Sequence, residues 1–278
     1  AHDAVIARVR STARGEVAAV TDHGRMIRLG VVDMPTLPPV STAPSLSGGA
    51  RVEEFLTLAK GERVLTLASL GEDSPGLALG TAGGVVKRVS TDYPSNKDSW
   101  EVVSLRPGDM VIGAVELPST RCDLVFVTSD AQLLRFDAEK VRPQGRSAGG
   151  MAGIALSPGA RVIFFGAVDL TLGDGEWASV VVTVAGASYA LPGTQAGAAK
   201  LTPFAEYPAK GRATGGVRCH RFLKGEDTLL LAWAGPSPAL AAAANGVAVP
   251  LPPPDPRRDG SGTPLPQPVS AIAGPLPG

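Results

Sequence analysis

The sequence predicts an all-β protein built as a radial array of small sheets, and three observations carry that prediction. A turn signal between two short apolar strands recurs five times, a second glycine marker recurs four times, and the turns lie about 50 residues apart. That period leaves room for about four short strands per unit, as in a bladed disc. A β-sandwich of irregular strands is the alternative, and the matched pairs of markers disfavour it. A solenoid of helices is disfavoured as well, because only 52–60 reads as a short helix and that stretch continues as strand.

The turns come in order. The first is Thr21-Asp22-His23-Gly24, between Val17-Ala18-Ala19-Val20 and Arg25-Met26-Ile27-Arg28-Leu29. The second is Thr81-Ala82-Gly83-Gly84, followed by Val85-Val86-Lys87-Arg88, and the third Thr128-Ser129-Asp130-Ala131, followed by Gln132-Leu133-Leu134-Arg135-Phe136. The fourth is Thr183-Val184-Ala185-Gly186, with Ala187-Ser188-Tyr189-Ala190-Leu191 expected as its second strand. A worn fifth is Ala243-Ala244-Asn245-Gly246. A terminal Gly or Asn-Gly supplies the positive φ that a tight hairpin needs.

The second marker places a glycine between apolar residues, at Gly61, Gly108, Gly159 and Gly225. The stretch from this glycine to the next turn is nearly constant in length, and the stretch from turn to marker varies. Each unit therefore has a fixed scaffold half and a loop half, as expected when loops on one rim carry function. The predicted domain is a single one, 1–278, with blades at 17–75, 76–120, 121–176 and 177–237. A degenerate last blade and Pro-rich tail fill 238–278, and 1–16 is a closing strand of a partial sixth unit. Pairing Val5-Ile6-Ala7-Arg8-Val9-Arg10 with Val269-Ser270-Ala271-Ile272-Ala273 would close the ring and hide two edges.

Composition narrows the function. Charged residues are 19% and apolar residues 44%, which fits a globular chain, and the formal net charge is zero. Attraction to a polyanion must then come from local clustering. Cys122 and Cys219 form no CxxC pair, and His2, His23 and His220 have no ligand spacing, so neither a zinc site nor a disulfide framework is expected and a reducing compartment is. No apolar run reaches the roughly 18 residues that span a bilayer. The chain opens Ala1-His2-Asp3, without an initiator Met or a signal-peptide pattern, and reads as a fragment of something longer.

Catalytic motifs are missing from the sequence. There is no G-x-S-x-G elbow and no phosphate loop ending in Gly-Lys-Ser/Thr. Ser147-Ala148-Gly149-Gly150-Met151-Ala152-Gly153 mimics a dinucleotide loop but lacks the strand–turn–helix context. Glu53-Glu54 and Glu226-Asp227 read as solvated faces. What recurs is a basic, glycine-rich loop: Arg142-Pro143-Gln144-Gly145-Arg146-Ser147-Ala148-Gly149-Gly150, and again Lys210-Gly211-Arg212-Ala213-Thr214-Gly215-Gly216-Val217-Arg218. The candidate phosphate contacts are Arg25, Arg28, Arg51, Lys87, Arg88, Arg135, Lys140, Arg142, Arg146, Lys210, Arg212, Arg218 and Arg221. Repeated radially, such cations would ring an edge around which duplex DNA can bend, giving salt-sensitive binding without base readout. For any single one, a solubilising or edge-protecting role is the plain alternative, and a propeller that binds protein is the rival class.

The pattern resembles the C-terminal domain of the A subunit of bacterial type IIA topoisomerases, gyrase and topoisomerase IV. The carriers are the Thr-x-x-Gly hairpins followed by a basic strand, as in Gly84-Val85-Val86-Lys87-Arg88, and the run Arg142-Pro143-Gln144-Gly145-Arg146 through Gly153-Ile154-Ala155-Leu156. The resemblance implies a β-pinwheel, a propeller-like disc whose blades exchange strands, that binds and bends DNA on its perimeter for the catalytic core. The implied partners are duplex DNA, the ATPase B subunit of the enzyme, and the remainder of the A subunit itself. The implied place is the bacterial cytoplasm, at the nucleoid. Neither cofactor nor catalytic residue is expected in this domain: ATP and magnesium serve the whole enzyme, and Tyr93, Tyr189 and Tyr207 do not follow an arginine as that family's catalytic tyrosine does. Gyrase carries a basic glycine box in its first blade. The matching stretch here, Pro44-Ser45-Leu46-Ser47-Gly48-Gly49-Ala50-Arg51-Val52-Glu53-Glu54, keeps two glycines and one arginine, which points to a topoisomerase IV-like enzyme that relaxes and decatenates. A gyrase domain with a degenerate box is the alternative.

Overall fold

The computed structural model describes residues 4–38, 48–173 and 178–275. Five sheets stand as blades in a ring. The first runs β3 (Val64–Ser69), β1 (Glu16–Thr21), β2 (Arg25–Gly30), β6 (Ser99–Glu101). The second runs β7 (Val111–Glu116), β4 (Leu77–Thr81), β5 (Val85–Val89), with β10 (Pro143–Gln144) and β11 (Met151–Ala152) both pairing with β5. The third is β12 (Val162–Asp169), β8 (Cys122–Thr128), β9 (Gln132–Asp137), β15 (Val217–Arg218), and the fourth β16 (Thr228–Pro236), β13 (Ser179–Gly186), β14 (Ala198–Pro203), β19 (Thr263–Pro264). The fifth holds β18 (Ala248–Val249), β17 (Leu240–Ala242) and β20 (Ala271–Ala273). Pairing is antiparallel throughout except between β10 and β5. Among the described residues the helical pieces are short 3-10 turns, and 52–60 contributes only one of them, Val52–Glu54.

One rule generates this order. From the second unit on, each makes a hairpin, sends a short segment to the outer edge of the preceding sheet, and returns as the innermost strand of its own. Thus β6 leaves the second unit for the first sheet, β10 and β11 leave the third for the second, β15 the fourth for the third, and β19 the fifth for the fourth. The variable connection from turn to marker is this exchanged segment. The marker glycines close it: Gly61, Gly108, Gly159 and Gly225 have φ of 79°, 79°, 78° and 90°, a region that favours glycine, in the turns leading into β3, β7, β12 and β16.

Packing between neighbouring blades explains the apolar runs. Sheets flanked by sheets bury both faces, so strands read as continuous hydrophobic stretches rather than alternating ones. All seven residues of β8 and all eight of β13 are buried. Separate clusters join consecutive sheets: Met26, Leu79 and Trp100 between the first and second, Val86, Phe126 and Phe136 between the second and third, Leu133, Val181 and Phe204 between the third and fourth, Val184, Val249 and Ile272 between the fourth and fifth. At the hub a cavity of about 290 Å3 takes Leu65, Ile112, Phe165, Trp233 and Ile272, one from each innermost strand.

The structure departs from the sequence expectation at three places. Residues 4–15 form no strand; Val9 packs on the outer face of the first sheet and Val5 and Ile6 line the hub. The last strand exists as β20, but its partner is β17, so first and last strands do not pair among the described residues. The fourth hairpin turn is not at Gly186, which lies in β13 opposite Thr228. The loop spans 187–197, Gly197 carries the positive φ of 74°, and β14 follows it. Ala187-Ser188-Tyr189-Ala190-Leu191 is not a strand: Gln195 accepts from the Ala187 amide and donates to its carbonyl, closing the loop, and Tyr189 and Leu191 point to solvent.

Candidate nucleic-acid interface

Strand exchange splits the predicted cations into two classes. Those on the second strand of each hairpin turn inward. Arg25 forms a bidentate pair with Glu62, Nε to Oε1 at 2.6 Å and Nη2 to Oε2 at 2.8 Å, and also donates to the Thr57 carbonyl. The Glu62 carboxylate, buried and held by Arg25, the Ala59 amide and the Thr21 hydroxyl, is lowered to about 2. Arg28 pairs with Glu16 at 2.6 Å, donates to the carbonyls of Pro94 and Lys97, and lies 5.2 Å from the Trp100 ring centroid. Arg88 donates to the carbonyls of Ala138 and Val141. Arg135 sits 3.5 Å from Asp123 and over the ring of Phe204 at 4.4 Å.

A single geometry underlies Arg28, Arg88 and Arg135. Each stands four residues after the turn residue and reaches a segment of the next unit: 94–100, 138–141 and Phe204. The basic residue of the hairpin motif is a tie between units. Lys87 is wholly buried, its ammonium donating to the carbonyls of Gly145, Arg146 and Ala148 at 2.8, 2.9 and 2.7 Å, and burial lowers it to about 8. It touches no solvent, so the expectation that it meets a phosphate is corrected.

The second class lies on the exchanged loops. Lys140, Arg142, Lys210, Arg218 and Arg221 are exposed, and Arg146 and Arg212 are half-buried. Lys210 donates to the Gly216 carbonyl at 3.2 Å and Arg212 to the Ala152 carbonyl at 2.6 Å. The two glycine-rich loops are joined edge to edge: the Ala213 amide donates to the Gly153 carbonyl at 2.7 Å and the Ala155 amide to the Thr214 carbonyl at 3.0 Å. The Ser104 amide ties the preceding segment to Ala148, and the Arg221 amide ties the following one to Gly260. These contacts make the exchanged segments one continuous rim. In the first unit Arg51 is exposed but stands 3.7 Å from Glu53; of its expected box, 44–47 lie outside the described residues.

Sequence reasoning missed two sets. Arg63, Arg106, Arg161 and Lys224 are exposed within two residues of the marker glycines, on one side of the turn or the other, in four units; closeness to the marker glycine was the available signal. Arg257 and Arg258 occupy the exchanged segment of the last unit, where Asp255 pairs with Arg257 at 2.9 Å. His220 bonds Thr183 and is held down to about 4 by burial and by Lys200, while burial pushes the Cys122 and Cys219 thiols up to about 11 and about 12. No described helix is long and apolar enough to cross a membrane.

Residues 123–169 and 193–230 match the family model described as DNA gyrase C-terminal domain, beta-propeller. Over 203 residues, 71% of this chain, the sequence is 32% identical to the A subunit of DNA gyrase from Mycobacterium bovis, and over 218 residues it is 28% identical to that from Staphylococcus epidermidis. The chain belongs to the C-terminal domains of type IIA topoisomerase A subunits. It spans only about a fifth of those relatives, 22% of each. The β-pinwheel of this C-terminal domain has solved counterparts. The C-terminal domain of a DNA topoisomerase IV superposes with a TM-score of 0.72 at 15% identity, over 94% of this chain and 79% of that one. The C-terminal domain of E. coli ParC superposes with a TM-score of 0.60 at 13% identity, over 92% of this chain and 97% of that one.

Proposed function

We propose that this domain binds duplex DNA along the rim made by its exchanged loops, bends it, and presents it to the rest of the A subunit. The observation that carries the reading is the placement of Arg142, Arg146, Arg212 and Arg218 on two hydrogen-bonded loops that hold no acid, while the hairpin arginines are paired inside. An arc of cations on a chain of zero net charge gives sequence-independent capture whose strength falls with salt. The domain is noncatalytic in this reading. With the ATPase B subunit, ATP and magnesium, the whole enzyme relaxes and decatenates DNA at the bacterial nucleoid, and the first-unit stretch, with one arginine against two glutamates, supports that choice.

The test is duplex binding by alanine variants. Arg142→Ala, Arg146→Ala, Arg212→Ala and Arg218→Ala are each expected to weaken binding with little change in unfolding. Normal binding by all four would place the rim elsewhere, and Arg63, Arg106, Arg161 and Lys224 would be next in line. A second reading, a gyrase domain with a degenerate box, is favoured by the names of the sequence relatives, which are gyrase proteins. ATP-dependent negative supercoiling by the whole enzyme would establish it and reject the topoisomerase IV-like assignment.

A further inference from the structure

We propose that Lys87 is a positioning residue for DNA capture: its buried ammonium fixes the exchanged loop 142–152 in the conformation that presents Arg142 and Arg146. The functional half of this inference rests on the DNA-binding reading above; the structural half stands on geometry.

The loop leaves β10 and returns as β11, both paired with β5, and Lys87 lies on β5 between those two pairings. All three ammonium protons go to carbonyls of the loop tip, Gly145, Arg146 and Ala148, between 2.7 and 2.9 Å. The tip has few other ties among the described residues: Gly150 to the Gln144 side chain, Ala148 to Gly145, and Ser104 to Ala148. With glycine at 145, 149 and 150, such a tip has little conformational preference of its own. The cation therefore supplies the order.

Comparison among the units strengthens the assignment. Three residues after the turn residue, the first and third units place Ile27 and Leu134, both buried. The position is a core position that accepts a hydrocarbon. A lysine there, beneath a loop already carrying two arginines, is electrostatically unfavourable unless inward carbonyls hold it. The fourth unit repeats the device. Lys200, 2% exposed and three residues after Gly197, donates to the carbonyls of Arg257 and Arg258 at 3.1 and 2.9 Å, and to Thr202 and Tyr207. Its loop, 255–259, balances Arg257 and Arg258 with Asp255 and Asp259. Lys200 is thus the same clip beneath a loop without net charge, and so an internal control.

The experiment uses the full chain and two readouts, amide hydrogen exchange of the loops and duplex affinity as a function of salt. Lys87→Met is expected to speed exchange at 145–150 and to shrink the salt slope by roughly 1.8, at about 0.9 for each phosphate no longer neutralised. Lys200→Met is expected to speed exchange at 257–260 and leave the slope unchanged. In Lys87→Ala, propylammonium should restore slow exchange and DNA affinity, whereas tetramethylammonium at the same concentration, having no N–H, should not. This arm serves if Lys87→Met does not fold. Unchanged exchange at 145–150 would overturn the clip. A loosened loop with an unchanged slope, or equal loss of affinity in both lysine variants, would overturn the positioning role. A wild-type chain that fails to bind duplex DNA would instead sink the DNA reading, with the exchange result left standing.

Discussion

Arg25 and Arg28 carry the clearest lesson at the residue scale, because a cation on an exposed-looking strand is here an internal tie. Their partners, Glu62, Pro94 and Lys97, lie 37, 66 and 69 residues away, so a pattern read along one strand has no access to them. The basic residue itself was legible; its direction was not, because a strand buried on both faces gives no alternation to read. Arg28→Ala is therefore expected to lower stability by about 1–3 kcal/mol, through lost charged hydrogen bonds, and to leave duplex affinity unchanged. Urea unfolding beside a binding titration checks both halves. Glu62 makes a pH prediction. Its pKa falls from 4.5 to about 2 on folding, so its stabilisation is complete above about pH 4.5 and is lost as pH drops toward about 2. The stability gap between wild type and Glu62→Gln should accordingly narrow from pH 7 to pH 3; a constant gap would show that the carboxylate charge is irrelevant.

Turns govern the element scale. The hairpins at Gly24, Gly84 and Gly246 and the marker turns were legible because a positive φ leaves a local, chemical trace in the sequence. Two hairpins were harder. The third turns on Ala131 at φ 61°, a conformation alanine rarely adopts, and was found only through its flanking strands. The fourth was misplaced because its loop is longer than a tight turn and its second strand, Ala198–Pro203, begins with alanines rather than β-branched residues. Gly197→Ala tests the revised hairpin. At φ 74° with the Ala185 carbonyl oxygen 2.6 Å from a new Cβ, it should cost about 2–4 kcal/mol. Gly186→Ala should cost less, since its φ is not positive and it meets side-chain ends rather than backbone, Leu230 and the Gln195 amide that bonds Ala187. Thermal or urea unfolding of the pair decides, and the reverse order would restore the turn at Gly186.

For the whole molecule, the repeat was legible and the exchange was not visible in it. Spacing alone assigns β6, β10, β11, β15 and β19 to the units in which they occur, whereas each completes the sheet before; the resemblance, rather than periodicity, carried that feature. Exchange also decides where the charge goes. It brings the two loops without acids side by side, which concentrates the proposed DNA capture on the arc from Lys140 to Arg221. The most direct test is the salt dependence of duplex affinity for the wild type and for the combined Arg142→Ala, Arg146→Ala, Arg212→Ala, Arg218→Ala variant. A linear fall of log affinity with log salt is expected in the wild type, and a slope smaller by roughly 3.6 in the variant, at about 0.9 per phosphate. An identical slope in the two proteins, or a wild-type affinity indifferent to salt, would contradict it.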